Sequence, residues 1–404
     1  MTSMRKNTPK FMLVALAGLA LVCGMAIAAS AQTARRVKHA PLGDTTPAGR
    51  MAILQEYLQY PPESVPIDAT YWDLLHPWSV STTTQTMIPA QTILQVQALE
   101  KSGLSQEAAV QQARALMPSS LPTYQFEMNK TILAGTQDQL QARLTITGAP
   151  GFQVNKAELI GSREFGSTDL GAVPFSCDDA SSVCTFQWQA PSADKKYWGS
   201  LRLQVTVTVD GFKDPFVIHQ SFYASPTVAA KFTGQFQDKI ANGSLVIDAG
   251  VDVQTHMACS VSANLYSADS GTPLQHAERQ MVIDPSMKTI TFTFFGKIFR
   301  DYGDQGAFRV QDLQARCQNL PYPAEWFVDR DAHRAEWEAF QKNPPAFNEP
   351  TRIYFEYNSF TYTTQNYTLS AFSNADWQSP EKTAMWEAYT KATATVAGAA
   401  AGTQ

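Results

Sequence analysis

Two Ser-x-x-Lys strings, Ser192 to Lys195 and Ser379 to Lys382, are the shortest combinations in this chain that could support covalent chemistry, with a serine acylated and a lysine as its base. That chemistry also needs an S-D-N-like element and a K-T-G triplet on a neighbouring strand, and the sequence contains neither. Ser379 directly precedes Pro380 and Glu381, the order of a helix N-cap followed by a first-turn proline and an acid, which accounts for it without catalysis. The histidines stand at 39, 76, 219, 256, 276 and 333, with no H-E-x-x-H spacing and no G-x-S-x-G elbow. A triad gathered from distant positions leaves no local trace, so an exported hydrolase with a dispersed site stays open as the alternative to a binding protein.

Metal and cofactor chemistry finds less support. Asp301-Tyr302-Gly303-Asp304-Gln305-Gly306 places two carboxylates in a glycine-rich stretch but lacks the further carboxylate and downstream bidentate Glu of an EF-hand loop. It reads as a strand-connecting turn, as does Asp178-Asp179. No CxxC or HxxxH spacing is present, so neither a zinc site nor any other cofactor is expected.

The cysteines depend on the compartment, which the N-terminus addresses. Arg5, Lys6 and Lys10 precede an uncharged run from Phe11 to Ala29, and Ala29-Ser30-Ala31 precedes Gln32; this is the order of a cleaved secretory signal. The run is long enough to leave an uncleaved anchor open, although its Ala and Gly content favours cleavage. Cys23 follows Val22, where a lipoprotein signal needs a small residue. Residues 1–31 carry three basic and no acidic residues; of 31 Lys and Arg, 28 then remain against 36 Asp and Glu, a net charge of −8. That balance argues against nucleic acid as a partner. No other stretch has the ~20 apolar residues of a spanning helix.

Cys177, Cys184, Cys259 and Cys317 remain, an even number in an oxidising compartment, and their order gives the pairs Cys177 with Cys184 and Cys259 with Cys317. The second pair is expected to staple opposite parts of one sandwich. Loop closure gives it about 4 kcal/mol, against about 2.5 kcal/mol for the first.

The elements that position these residues change character along the chain. Residues 32–119 form a polar leader and a helical region, with helices from Pro47 to about Leu58, from Gln91 to Lys101 and from Ser105 to Met117. From 120 to 225 period-two alternation takes over, in Leu140, Ala142, Leu144 and Ile146, in Phe186, Trp188 and Ala190, and in Leu201, Leu203, Val205, Val207 and Val209. Asp210-Gly211 turns the last run into a hairpin with Phe216, Ile218 and Phe222. Residues 226–320 repeat the pattern through Leu245–Val253, Cys259, Val261, Ala263 and Leu265, then Ile290–Phe294, Phe308 and Val310. The segment 321–391 is mixed, with a helix from Asp331 to Lys342, a strand pair over Arg352–Thr363 turning at Asn358-Ser359, and a last helix from Ser379. Residues 392–404 read as a flexible tail. The fold class is mainly β: two Ig-like β-sandwiches, a helical N-terminal region and a mixed α/β C-terminal segment.

G-S-L-V-I-D at 243–248, A-N-L-Y-S at 263–267, F-G-K-I-F-R-D-Y-G-D-Q-G-A-F-R-V-Q-D-L at 295–313, Y-T-L-S-A-F-S at 367–373 and W-Q-S-P-E-K at 377–382 carry a resemblance. The chain resembles uncharacterised secreted proteobacterial proteins with tandem Ig-like modules, a family of unknown function. The resemblance covers under half of the chain after residue 31 and stops short of the helical region before residue 120. It implies architecture and export, and brings no catalytic residues.

Tyr71, Trp72 and Trp78 lie outside every expected strand and form the candidate contact surface. Trp326/Phe327 and the run Tyr354, Phe355, Tyr357, Phe360 and Tyr362 are better placed to fill cores. The expected function is an exported envelope or secreted binding, adhesion or scaffold protein, periplasmic or released, with an envelope protein or glycan as partner.

Overall fold

The computed structural model of the chain describes residues 46–76, 84–114, 121–161, 169–178, 182–347 and 349–401. Residues 1–31, read above as a signal peptide, most of the stretch read as a leader, and Trp78 lie outside the described residues.

Thr46 caps the first helix, α1 (Pro47–Tyr57): its hydroxyl accepts the Gly49 amide at 3.0 Å, and Pro47 occupies a first-turn position where a missing N–H loses no helical bond. The region then breaks into a short strand β1 (Ser64–Pro66), one helical turn α2 (Trp72–Leu75) and a second short strand β2 (Thr84–Thr86), followed by α3 (Ala90–Lys101) and α4 (Gln106–Arg114).

Alternation builds the first sandwich from β3 (Thr123–Met128), β4 (Ile132–Ala134), β5 (Gln139–Thr147), β6 (Phe152–Ile160), β7 (Asp169–Ala172), β8 (Phe175–Asp178), β9 (Val183–Gln189), β10 (Gly199–Val209) and β11 (Phe216–Ser225). One sheet has the order β4-β11-β10-β6-β7 and the other β2-β3-β5-β9-β8. Leu140, Leu144 and Ile146 of β5 share a core with Leu201, Leu203, Val205 and Val207 of β10. Each such side chain contributes about 1.5–3 kcal/mol through burial. The β10–β11 hairpin turns at Asp210-Gly211, where Gly211 takes φ +87°.

The second sandwich comprises β12 (Ala230–Ala241), β13 (Ser244–Val253), β14 (Met257–Ser267), β15 (Pro273–Ile283), β16 (Thr289–Phe294), a helix α5 (Gly296–Tyr302) and β17 (Phe308–Gln318). After α6 (Ala324–Val328) and α7 (Arg334–Lys342), β18 (Arg352–Tyr354) and β19 (Tyr362–Thr363) return to it, and α8 (Pro380–Ala401) ends the described chain. A three-stranded sheet, β12-β13-β16, faces a six-stranded one, β1-β15-β14-β17-β18, with β19 also on β17. Asn242 and Gly243, at φ 51° and 71°, make the tight β12–β13 turn that favours Asn-Gly. Gly296 packs against that turn so closely that a Cβ would lie 1.8 Å from the Gly243 carbonyl oxygen.

Several expectations change. Cys259 and Cys317 are bonded, but they sit directly opposite each other on neighbouring strands β14 and β17 of one sheet, with Cα atoms 3.9 Å apart, and do not bridge two sheets. Cys177 and Cys184 pair in the same way across β8 and β9. Residues 352–363 are not a hairpin: β18 and β19 each pair with β17, because the chain between them is held elsewhere, with the Glu356 amide on the Ala230 carbonyl. Asp301 and Tyr302 end helix α5, which Gly303 closes at φ 74°, so the expected turn is a helix C-terminus. The final helix continues through Ala401, into the stretch read as a flexible tail.

Candidate functional site

On β14 the inward residues Cys259, Val261, Ala263 and Leu265 force Ser260, Ser262, Asn264 and Tyr266 onto the outer face of the six-stranded sheet. Register fixes their neighbours. On β15, Glu278 lies opposite Ser262 and His276 opposite Asn264; on β17, Arg316 lies opposite Ser260 and Gln314 opposite Ser262. The β14–β17 register slips between Ser262 and Asn264, and there Asp312 takes φ 58°. Its carboxylate thereby meets the Asn264 amide at 3.1 Å and the Tyr266 hydroxyl at 2.6 Å. Burial first, and the Asp312 bond second, push the Tyr266 phenol well above its ordinary range.

Part of this outer face is covered: Asn264 and Tyr266 are buried, while Glu278 and Arg316 stay exposed. The Asn264 amide also donates to the Leu74 carbonyl at 2.7 Å, which pins α2 onto the sheet. Ile132 from the first sandwich and Tyr354 from β18 complete the walls. What remains is a cleft of about 350 Å³ at the junction of the two sandwiches, lined by Asp73, Ser260, His276, Glu278, Gln314 and Arg316 among others.

His276, buried, links the polar groups. Its Nδ1 lies 2.7 Å from the Asn264 Oδ1; since that amide already donates twice, the contact places a ring proton on Nδ1. Nε2 faces Glu278 at 3.6 Å. The imidazole is the main reason the Glu278 carboxyl falls to about 2; burial opposes the shift and the Ser260 hydroxyl, which donates to Glu278, reinforces it. The Arg316 guanidinium is exposed and makes no hydrogen bond or salt bridge with the described residues.

This arrangement constrains the chemistry. A serine nucleophile needs a base that takes its proton, and Ser260 instead gives its proton to a carboxylate whose low pKa makes it a weak base. His276 turns to Asn264 and Glu278, and no bond joins it to Ser260. The groups that face the cleft are donors and acceptors: an unpaired guanidinium, a carboxamide, hydroxyls and two carboxylates, of which Glu278 is tied to Ser260 and His276. They suit recognition of a polar ligand.

Other candidate residues lie elsewhere. Tyr71 accepts the Leu74 and Leu75 amides with its carbonyl, and Trp72 is the first residue of α2; the next two residues, Asp73 and Leu74, line the cleft. Ser379 caps α8, accepting the Lys382 amide at 3.0 Å, while Lys382 Nζ donates to the Trp377 carbonyl. Lys195 pairs with Glu349, away from Ser192. Asp301 accepts from Tyr60 and pairs with Lys297, and no cluster of three or more metal-type ligands occurs among the described residues. Trp326 joins Tyr322, Trp337 and Phe340 in a small aromatic cluster around α6 and α7, where the rings cover one another. Ser260, Ser262, Asn264, Gln314 and Arg316 were not legible as a site; their only signal was the polar half of the β14 and β17 alternation.

No family model matches the chain, and no curated protein matches it. Among solved structures it is similar to a DUF4785 family protein from Legionella pneumophila, at 14% identity and a TM-score of 0.39, over 62% of this chain and 58% of that one. It is also similar to a marsupial T cell receptor, at 12% identity and a TM-score of 0.20, over 42% of this chain and 59% of that one. The chain thus spans under two thirds of the length of either.

Proposed function

We propose that this chain is an exported binding protein of the cell envelope or its surroundings, and that the cleft at the sandwich junction holds a polyhydroxylated ligand, a glycan of the envelope. The observation that carries this reading is the fixed ionic and hydroxyl lining: Glu278 held as carboxylate beside His276, with the unpaired Arg316 guanidinium two strands away. Planar carboxylate and guanidinium groups chelate neighbouring sugar hydroxyls, and Gln314 and the serines add further hydrogen-bonding groups. Two disulfides and the signal-like N-terminus support export, and no described helix is long and apolar enough to cross a membrane. Tyr71, Trp72 and Trp78, the contact residues expected from the sequence, are proposed to belong to the same binding function.

The test is retention of purified protein on peptidoglycan sacculi and, separately, on lipopolysaccharide-coated beads. Glu278→Gln and Arg316→Ala are each expected to reduce retention on one of these while leaving the β-sheet circular dichroism unchanged. Equal retention of wild type and both variants, or release of hydrolysis products by the wild type, overturns the reading.

A further inference from the structure

Sheet edges expose unpaired backbone groups, and proteins guard them with shortness, charge, proline or bulges. Among the described strands nearly every edge carries such a guard. β1 has three residues and ends in Pro66, β2 and β4 have three each, and β18 and β19 have three and two. β7 has four residues and an irregular register, and β8 has four, with Asp178 and a disulfide. β12 is long, but it carries Lys231, Asp238 and Lys239 and a register break between Phe232 and Phe236.

β16 is the exception. It is six residues of sequence TITFTF, without charge, proline or bulge, and it pairs only with β13 among the described residues. Its other edge opens on a groove of about 670 Å³ along the seam where the two sheets of the second sandwich meet, lined by Phe292 and Thr293 on one side and by Ala277 and Arg279 of β15 on the other. Register identifies the charge in this seam. Arg279 lies opposite Val261, a core residue, so alternation turns Arg279 towards the interior side of its sheet, while Glu63, Glu278 and Gln280 belong to the outer side. Arg279 is exposed at the mouth of the groove and makes no ion pair or hydrogen bond with the described residues.

We propose that β16 is a docking edge for an extended segment of another polypeptide, which adds a strand to the three-stranded sheet and places an acidic side chain, flanked by apolar ones, against Arg279. Backbone bonds to β16 supply affinity, and Arg279 supplies selection at one position of the incoming strand. A second copy of β16 fits less well, because TITFTF offers no acid to Arg279.

The probe is a capped peptide, Thr-Val-Glu-Val-Thr-Val, titrated into the full chain after residue 31, with hydrogen exchange followed at residues 289–294. Binding should slow exchange across β16, and replacing the peptide's Glu by Lys should weaken binding about fivefold or more. Arg279→Glu should invert the preference, taking the Lys peptide over the Glu peptide; this inversion cannot arise from misfolding. The proposal fails if neither peptide binds, if binding leaves β16 exchange unchanged, if Arg279→Glu leaves the preference as it was, or if β16 is protected by self-association before peptide is added.

Discussion

The backbone carbonyl of Arg352 accepts the Trp198 indole N–H at 2.8 Å, and the Tyr223 hydroxyl donates to it at the same distance. Trp198 precedes β10 and Tyr223 lies on β11, both in the first sandwich, whereas Arg352 opens β18 on the second. Trp198 also buries its ring in the second core. A C-terminal strand therefore braces the junction, and Tyr354, two residues on, becomes a wall of the cleft.

The first prediction tests that brace. Trp198→Phe and Tyr223→Phe each remove one donor, and each should lower unfolding stability by about 1 kcal/mol. The double variant leaves the Arg352 carbonyl with neither partner and should exceed the sum of the two, which urea denaturation can measure. Additive losses would mean that water replaces both donors.

Glu278 gives a pH prediction. Its carboxyl is ordinarily near 4.5 and is held at about 2 in the folded chain, so the folded state binds fewer protons than the unfolded one between those values. The associated stabilisation is full above the ordinary value and is lost as pH falls through the folded one. The side-chain carbon resonance of Glu278 should therefore titrate near the low value in wild type and move upward in His276→Asn. A midpoint near the ordinary Glu value in wild type would remove the basis for a fixed carboxylate in the cleft.

Asn264 connects His276, Asp312 and the Leu74 carbonyl, so Asn264→Ala should cost more than a typical surface change, about 2–3 kcal/mol, by leaving buried polar groups without partners. α2 should loosen first: hydrogen exchange across residues 71–76 should rise while the strands of the first sandwich keep their protection. Uniform loss of protection in both sandwiches would show that α2 is not an independent cover.

Much of the fold could be read from the sequence and most of the site could not, for the same reason. Alternation over nine residues in β5 and eleven in β10 is a periodic signal, and both strands lie where it places them. β1 and α2 have three and four residues, too short for any period, and β1 is held by a ladder to β15 more than two hundred positions away. The β14 pattern marks Ser260, Ser262 and Asn264 as facing outward, and outward ordinarily means water. Only when α2 and Ile132 close over that face do those residues become a site. The Asp210-Gly211 turn is local and legible, but it positions no cleft residue.

The disulfides differ in what they close. Cys259 and Cys317 are fully buried and span 58 residues, so replacing both by Ala should destabilise by about 4 kcal/mol in the loop-entropy view, against about 2.5 kcal/mol for the pair separated by seven residues. Thermal unfolding should respond in that order. The reverse order would place the larger contribution in native-state packing around β8 and β9.

The last prediction separates the C-terminal segment into a part that holds the second core and a part that does not. Phe372 stacks on Phe299 of α5 with ring centroids 4.0 Å apart, and it contacts Phe308 of β17 as well; it is buried, so Phe372→Ala should remove contacts with both elements at once. A loss of about 3–5 kcal/mol is expected from such a truncation. Along α8 the described side chains from Thr383 to Lys391 are exposed except that of Tyr389, which is half-buried; Met385 and Trp386 belong to neither core, and Trp386 lines a groove shared with Leu58. Ending the chain after Glu387 should therefore shift stability by no more than about 0.5 kcal/mol. Comparing the two proteins by urea denaturation decides the matter. If the shortened chain is as unstable as Phe372→Ala, then α8 contributes to the second sandwich through contacts beyond its first turn.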